Sequence, residues 1–312
     1  MATLTMLVGV SNGSKTDYMT THAHDALIIN PDALRQQLFG TLQVKKSQKS
    51  IIFNQITKVL NQAIKTQRDI WYNVIDNSRK QRILLYNQAK KHHYHVRLIW
   101  FIADMRTLVA NNPLQLPASF LKRQLLALDP PIKHLDCDEL IVKITGNLKR
   151  YANITSPLRF ACDFIACSDA VGQQLYQTTQ IPDNGIYHTE SLQTHLQLCV
   201  QTAQAQHDEL LVTLAKWHDV GKVAVRQYDE TKHTYHYYDH EIYSSYAYAV
   251  HTLLTQHTIS PQQAVIMQLI RWHMAPFRGV SQRLLMREQL SADELALLRT
   301  FNQIDKASSL GK

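Results

Sequence analysis

The hydrophobic pattern of this chain changes character once, near residue 150, and that change limits what it can fold into. Up to residue 146, short apolar runs of strand length alternate with segments that carry apolar residues at helical spacing. Residues 3–8, 26–29, 71–75, 96–102 and 139–144 read as strands, and residues 33–39, 51–64 and 78–91 as helices. Such alternation predicts right-handed βαβ units, a parallel sheet and a ligand at the carboxyl ends of its strands. From Tyr151 onward the strand pattern vanishes and helix signals dominate. Segments 190–206 and 209–219 read as helices. Ser260-Pro261-Gln262-Gln263 and Ser291-Ala292-Asp293-Glu294 are capping boxes that open two more, the second running past Asp305. The expected fold class is therefore multidomain, α/β plus all-α. Its parts are a parallel-sheet domain over 1–146, a connecting segment over 147–184 and a helical domain over 185–312.

The first strand leads directly into Gly9-Val10-Ser11-Asn12-Gly13-Ser14-Lys15-Thr16. Strand, glycine-bearing turn and Lys-Thr is the order that wraps backbone amides around phosphates. The lysine then meets the β- and γ-phosphates and the threonine hydroxyl meets Mg²⁺, so ATP with Mg²⁺ is the expected cofactor. The pattern GxxxxGK[ST] has glycine where this chain has Ser14, and a Cβ crowds such a loop unless the local backbone angles admit it. Asp32 and Asp76 each follow a strand end.

Together with Asp32-Ala33-Leu34-Arg35 and Asp76-Asn77-Ser78-Arg79-Lys80-Gln81-Arg82, this run resembles the P-loop kinase domain of bacteriophage polynucleotide kinases. The resemblance implies that Asp32 activates a nucleic acid 5′-hydroxyl and that Arg35 holds the substrate phosphate, roles suited to phosphoryl transfer. Asp32 is equally well placed to be a helix N-cap. The family brackets an Asn with arginines after the fourth strand. Here the matching stretch, residues 109–114, has none, and Arg106, Lys122 and Arg123 are the nearest cations. The resemblance therefore implies nucleotide binding more directly than kinase turnover.

In the helical half the sharpest signal is Trp217-His218-Asp219-Val220-Gly221-Lys222. An imidazole and a carboxylate side by side at a helix end can aim at one divalent ion, and a mixed N/O set suits Mn²⁺, Fe²⁺, Co²⁺, Ni²⁺, Zn²⁺ or Mg²⁺. His195 lies one helix upstream. Asp305 is an acid on the apolar side of a late helix, where an unpaired charge is costly and a metal removes the cost. His, then His-Asp, then a distant Asp resembles the HD phosphohydrolase superfamily, over most of residues 185–312. That resemblance implies His195, His218, Asp219 and Asp305 as metal ligands, with His240 and His273 serving a second metal or a substrate phosphate. His188 and Glu190 resemble the His-x-Glu preceding the first ligand in the HD domains of CCA-adding enzymes. His240 and His273 can also be read as hydrogen-bonded core residues.

The mechanism expected from the resemblance is metal-assisted attack of water on a phosphate, with Asp219 as candidate proton acceptor and Lys222 facing the departing phosphate. Lys222 reads equally well as a solvated helix end. His22, His24, His92, His93, His207, His251 and His257 fit no pattern and read as surface residues.

Composition narrows the partners. A net charge of +8 favours phosphate-rich ligands, nucleic acid or small phosphates, though the basic residues are spread rather than gathered in a tail. Cys137, Cys162, Cys167 and Cys199 are far apart without a CxxC pair and read as plain thiols of a reducing compartment. No apolar run reaches membrane-spanning length and the first residues lack signal-peptide character, so a cytoplasmic location without membrane contact is expected. Two phosphate-handling halves on a basic chain suggest processing of nucleic acid ends. RNA is favoured over DNA because RNA breaks leave cyclic phosphates. Hydrolysis of free nucleotides is the alternative.

Overall fold

The computed structural model of the protein describes residues 1–11, 13–41, 44–74, 78–182, 189–281 and 290–310. It divides into two compact units. The first comprises residues 1–102, 111–116 and 131–145, and the second comprises 103–110, 117–130 and 146–312.

The first unit is built on a five-stranded parallel sheet of β1 (Thr3–Val8), β2 (Leu27–Ile29), β3 (Ile70–Asn73), β4 (His95–Ile102) and β5 (Glu139–Ile144), in the order β2-β3-β1-β4-β5. The order reverses direction around β1, where an open parallel sheet leaves a crevice beyond its strand ends. β1 pairs on both sides, Leu4 with Ile70 and with Val96, and Leu4, Met6, Leu7 and Val8 are fully buried. A central strand covered on both faces reads as a continuous apolar run, as β1 does. The helices of this unit include α1 (Gly13–His22), α2 (Pro31–Phe39), α3 (Lys46–Lys65) and α4 (Arg79–Lys91). Met19 and Ala23 pack on Leu7, Ile99 and Phe101, seating α1 against the sheet. Asn30 caps α2, its side chain accepting from the Asp32 amide, and Pro31 occupies the first turn. Asp32 is therefore inside the helix rather than its cap. Asp76 lies outside the described residues.

The second unit is helical. The chain contributes to it early, through α5 (Met105–Ala110) and α6 (Ala118–Leu126), and then through α7 (Pro157–Ile165) and α8 (Asp169–Thr178). Residues 147–184, expected to connect two domains, thus carry two helices of this unit. The reason is composition: α7 buries Leu158, Phe160, Ala161, Cys162, Phe164 and Ile165, nearly its whole length. Phe160 and Phe164 stack at 5.6 Å, and Phe160 meets Trp217 at 6.1 Å. Such buried aromatics contribute about 1.5–3 kcal/mol each.

The remaining helices are α9 (Leu192–Gln204), α10 (Glu209–Trp217), the short α11 (Lys222–Val225), α12 (His240–Gln256), α13 (Pro261–Trp272) and α14 (Ala292–Ala307). Both expected capping boxes are formed, at Ser260 with Gln263 and at Ser291 with Glu294. The unit is not purely helical, because β6 (Gln227–Asp229) and β7 (Thr234–His236) form an antiparallel hairpin. Its strands are three residues each, too short to leave an alternating signal. Among the described residues no helix is long and apolar enough to cross a membrane.

Of the histidines expected at the surface, six are exposed, but His251 is half-buried. Its ring meets Phe160 edge-on at 5.0 Å, and its Nε2 lies 3.0 Å from the Ile154 carbonyl. His24, His93, His134, His207, His233 and His257 all have positive φ, the conformation in which chains end helices and turn. Histidine tolerates it better than bulkier residues, which accounts for part of the histidine content without any chemistry.

Candidate functional site

Gly9 follows β1 with φ +147°, and a Cβ there would sit 2.8 Å from the Phe101 carbonyl oxygen of β4. Only glycine fits this approach. The loop leads into α1, where Ser14 adopts helical backbone. Lys15 is buried and its Nζ donates to the Gly9 carbonyl at 2.8 Å, while Thr16 is exposed in the first turn. Burial pulls the Lys15 ammonium down to about 8, with the Asp32 carboxylate opposing the fall. That electrostatic contact brings Asp32 beside the phosphate loop. Arg35, one turn on, is ion-paired with Asp32. Beside them lies a cavity of about 390 Å³, walled by Met6, Tyr72, Ile52, Phe53 and Leu85, with Arg35 on its lining. Of the cations near the arginine-poor stretch, Arg106 is committed to Asp169 at 2.5 Å within the helical unit.

In the helical unit, the four expected ligands converge. His195 Nε2 lies 3.2 Å from Asp305 Oδ1 and 3.6 Å from Asp219 Oδ2. His218 Nε2 lies 3.5 Å from Asp219 Oδ2 and 3.8 Å from Asp305 Oδ1. The other oxygen of Asp219 faces a second group, with His240 Nε2 at 2.8 Å and His273 Nε2 at 3.4 Å. All six side chains are buried. Asp219 thus stands between two nests of donors, one oxygen turned to each.

The ring orientations are fixed locally. His218 Nδ1 lies 3.1 Å from the Ala215 carbonyl, His240 Nδ1 2.7 Å from that of Tyr237, and His273 Nδ1 2.7 Å from that of Ile270. Each carbonyl engages Nδ1 and turns Nε2 inward, the orientation of metal-bound imidazoles. His195 Nδ1 lies 3.4 Å from Glu190 Oε1, whose partner oxygen accepts from the Leu310 amide at 3.1 Å. His218 and His273 cap the C-terminal ends of α10 and α13, and Asp305 lies in the last turn of α14. Three helix ends bring partial negative charge toward the cluster, favouring a cation.

These groups fit a divalent metal. His240 Nε2 and His273 Nε2 converge on Asp219 Oδ1, 3.2 Å from each other, and His218 Nε2 is buried without a hydrogen-bond partner. Buried polar atoms are rarely left so. Burial drives His218 down to about 3, so its ring stays a neutral donor. Burial alone would raise Asp219, but Lys222 and the neighbouring histidines hold it well below the usual carboxylate range. Lys222 is not a solvated helix end: its Nζ lies 2.6 Å from Asp219 Oδ2. With Arg226, Tyr237 and His195 it lines a small cavity at the edge of the centre.

A family model described as an AAA domain matches residues 4–115, little more than a third of the chain. That match lies mostly in the parallel-sheet unit and spans the loop after β1. Among solved structures, a gluconokinase from Sinorhizobium meliloti 1021 is similar at 12% identity and a TM-score of 0.32, over 56% of this chain and 93% of that one. Comparison with curated proteins gives no match.

Sequence reasoning missed Cys199, read as a plain thiol. It lies in the first nest with His195, His218 and Asp305. The signal was present as His195-x-x-x-Cys199, two residues one helical turn apart. It also missed Arg278, which grips buried Glu241 behind His240 at 2.5 Å and 3.2 Å. His188 lies outside the described residues.

Proposed function

We propose that the helical unit is a metal-dependent phosphohydrolase of the HD type, joined to a P-loop unit that binds ATP with Mg²⁺. Together they process phosphorylated nucleic acid ends, RNA ends before DNA. The observation that carries this reading is one buried carboxylate, Asp219, met on each oxygen by inward-facing imidazole nitrogens. His195, His218, Asp305 and Asp219 Oδ2 would hold one divalent cation, and Asp219 Oδ1, His240 and His273 a second. Cations bound there supply Lewis acidity toward a phosphoryl oxygen and an acidified water at neutral pH. Glu190 stands 3.4 Å from His195 Nδ1, and three backbone carbonyls orient the other rings. Lys222 and Arg226 line the cavity and bind the anionic end, while the Tyr237 ring beside Lys222 gives it an aromatic wall.

In the P-loop unit, Lys15 and the loop amides bind the ATP phosphates. Asp32 orients an acceptor hydroxyl, and Arg35 neutralises the transferred group. The apolar cavity beside Arg35 suits an acceptor with a base-sized apolar part.

The test is phosphate release by chelator-treated full-length protein resupplied with Mn²⁺, Co²⁺, Ni²⁺, Zn²⁺ or Mg²⁺. Substrates are oligoribonucleotides with 2′-, 3′- or 2′,3′-cyclic phosphate ends, beside free nucleotides. Metal-dependent release from the oligonucleotide ends is expected. No release with any metal ends the proposal, and faster hydrolysis of mononucleotides replaces it with a nucleotide phosphohydrolase.

A further inference from the structure

We infer that Cys199 is an additional ligand of the first metal position, a thiolate that biases the site toward Zn²⁺, Co²⁺ or Fe²⁺ over Mg²⁺. The inference rests on the metal-dependent reading above and sharpens it.

Cys199 follows His195 by one turn of α9, so both side chains leave the same face of the helix. The Cys199 side chain is fully buried, and its Sγ lies 3.6 Å from His195 Nε2. Donor atoms of Cys199, His195, His218 and Asp305 all lie within 4.8 Å of one another. Sulfur and nitrogen held tetrahedrally by one ion, at about 2.3 Å and 2.0–2.1 Å, stand roughly 3.5 Å apart. The observed separation therefore matches two ligands of a common ion.

A second observation points to the same space. His218 Nε2, in a side chain with no exposed surface, has no hydrogen-bond partner. The competing arrangement is a metal-free network in which His195 Nε2 is shared between Asp305 Oδ1 at 3.2 Å and the Cys199 thiol. A thiol is a weak donor, and that network leaves His218 Nε2 unanswered. A cation in this nest satisfies the sulfur, both imidazoles and the carboxylate together. On coordination the thiol proton passes to solvent, leaving the thiolate as ligand. Thiolate is the softest donor of the set, which moves preference away from magnesium.

The experiment titrates metal-free full-length protein with Co²⁺ and follows both bound cobalt and near-ultraviolet absorption. The expected result is a sulfur-to-cobalt charge-transfer band that saturates with the first equivalent bound. Cys199→Ser is expected to lose the band. Its Zn²⁺ affinity should fall by at least about tenfold, the smallest loss seen when even an outer partner of a metal ligand is removed. Its Mn²⁺ affinity should change little. Cobalt bound by the unsubstituted protein without the band, or a band that survives Cys199→Ser, overturns the inference and leaves the metal centre standing. If no cobalt is retained, the metal-dependent reading fails and this inference fails with it.

Discussion

The Nε2 atoms of His240 and His273 lie 3.2 Å apart and face the same oxygen of Asp219, at 2.8 and 3.4 Å. Each Nδ1 is committed to the carbonyl three residues earlier, that of Tyr237 or Ile270. Neither ring can turn away without losing that bond. Two ring nitrogens and a carboxylate oxygen are thereby held together in a buried space, a donor set suited to a shared cation.

Replacing either ring by alanine is therefore expected to remove one of two bound metals while the His195 nest keeps the other. Phosphate release should fall by at least about 10²-fold, the loss typical when a stabiliser of developing charge is deleted. Elemental analysis of the purified variants checks the stoichiometry. Two metals retained in His273→Ala would show that this ring is a core residue.

Gly221 supports the centre from behind. Its amide donates to Ser244 Oγ at 2.9 Å, and a Cβ would lie 2.0 Å from the His240 carbonyl oxygen. Backbone atoms cannot yield that far, so Gly221→Ala has to push the turn carrying Asp219 away from α12. The expected outcome is a loss of roughly 1–3 kcal/mol of stability, as for overpacked cores, together with weakened metal binding. Thermal unfolding of the metal-free protein and metal titration read the two effects separately. Unchanged behaviour in both would mean that the close approach is not required.

These contacts show why some of the site was legible in the sequence and some was not. His218 and Asp219 are adjacent, so one helix end presents both, and the glycine and lysine that follow mark the turn. Gly9 and Lys15 were legible for the same reason, because the phosphate loop is a local structure. His240 and His273 stand 33 residues apart, and only the packing of α12 on α13 brings them together. Cys199 carried its signal in a single helical turn, but the type of residue pointed to a buried thiol. The helices α5 and α6 were least legible. They lie in sequence between β4 and β5 yet belong to the helical unit, a choice made by tertiary packing and not by local pattern. The β6–β7 hairpin failed for another reason: three-residue strands carry no measurable period.

Lys15 yields a pH prediction. Its folded value, about 8, lies below the 10.5 of an exposed lysine because burial disfavours the charge. Between those values the unfolded chain holds a proton that the folded chain has released, so stability rises with pH from about 8 to 10.5. Below 8 the penalty is present in full, roughly 3 kcal/mol at 1.36 kcal/mol per unit. Lys15→Met should flatten the rise and be the more stable protein at pH 7, while losing ATP binding. ATP phosphates favour the charged amine, so binding to the unsubstituted protein should take up protons near pH 8 and weaken above it. Calorimetry in buffers of different ionisation enthalpy measures that uptake. Its absence would remove Lys15 from the phosphate site.

The first unit also depends on a buried ion pair, whose arginine borders the cavity beside Arg35. Arg82 Nε donates to Asp136 Oδ2 at 2.7 Å, and neither side chain has exposed surface. Asp136 Oδ1 further accepts from the Ile132 amide at 2.9 Å, tying α4 to the segment that enters β5. Asp136→Ala leaves a guanidinium buried beside an unanswered amide. The expected cost is about 3–5 kcal/mol, far above the 0–1 kcal/mol of an exposed pair. The exposed comparison is Lys90 with Asp138, where Lys90→Ala should change little. Because the chain holds two units, a single melting temperature would blur the result. Hydrogen exchange resolved by peptide is the better measure. Protection should fall across β3, β4 and β5 in Asp136→Ala and remain unchanged in α9, α10 and α12. A uniform loss across both sets of peptides would mean that the two units unfold as one.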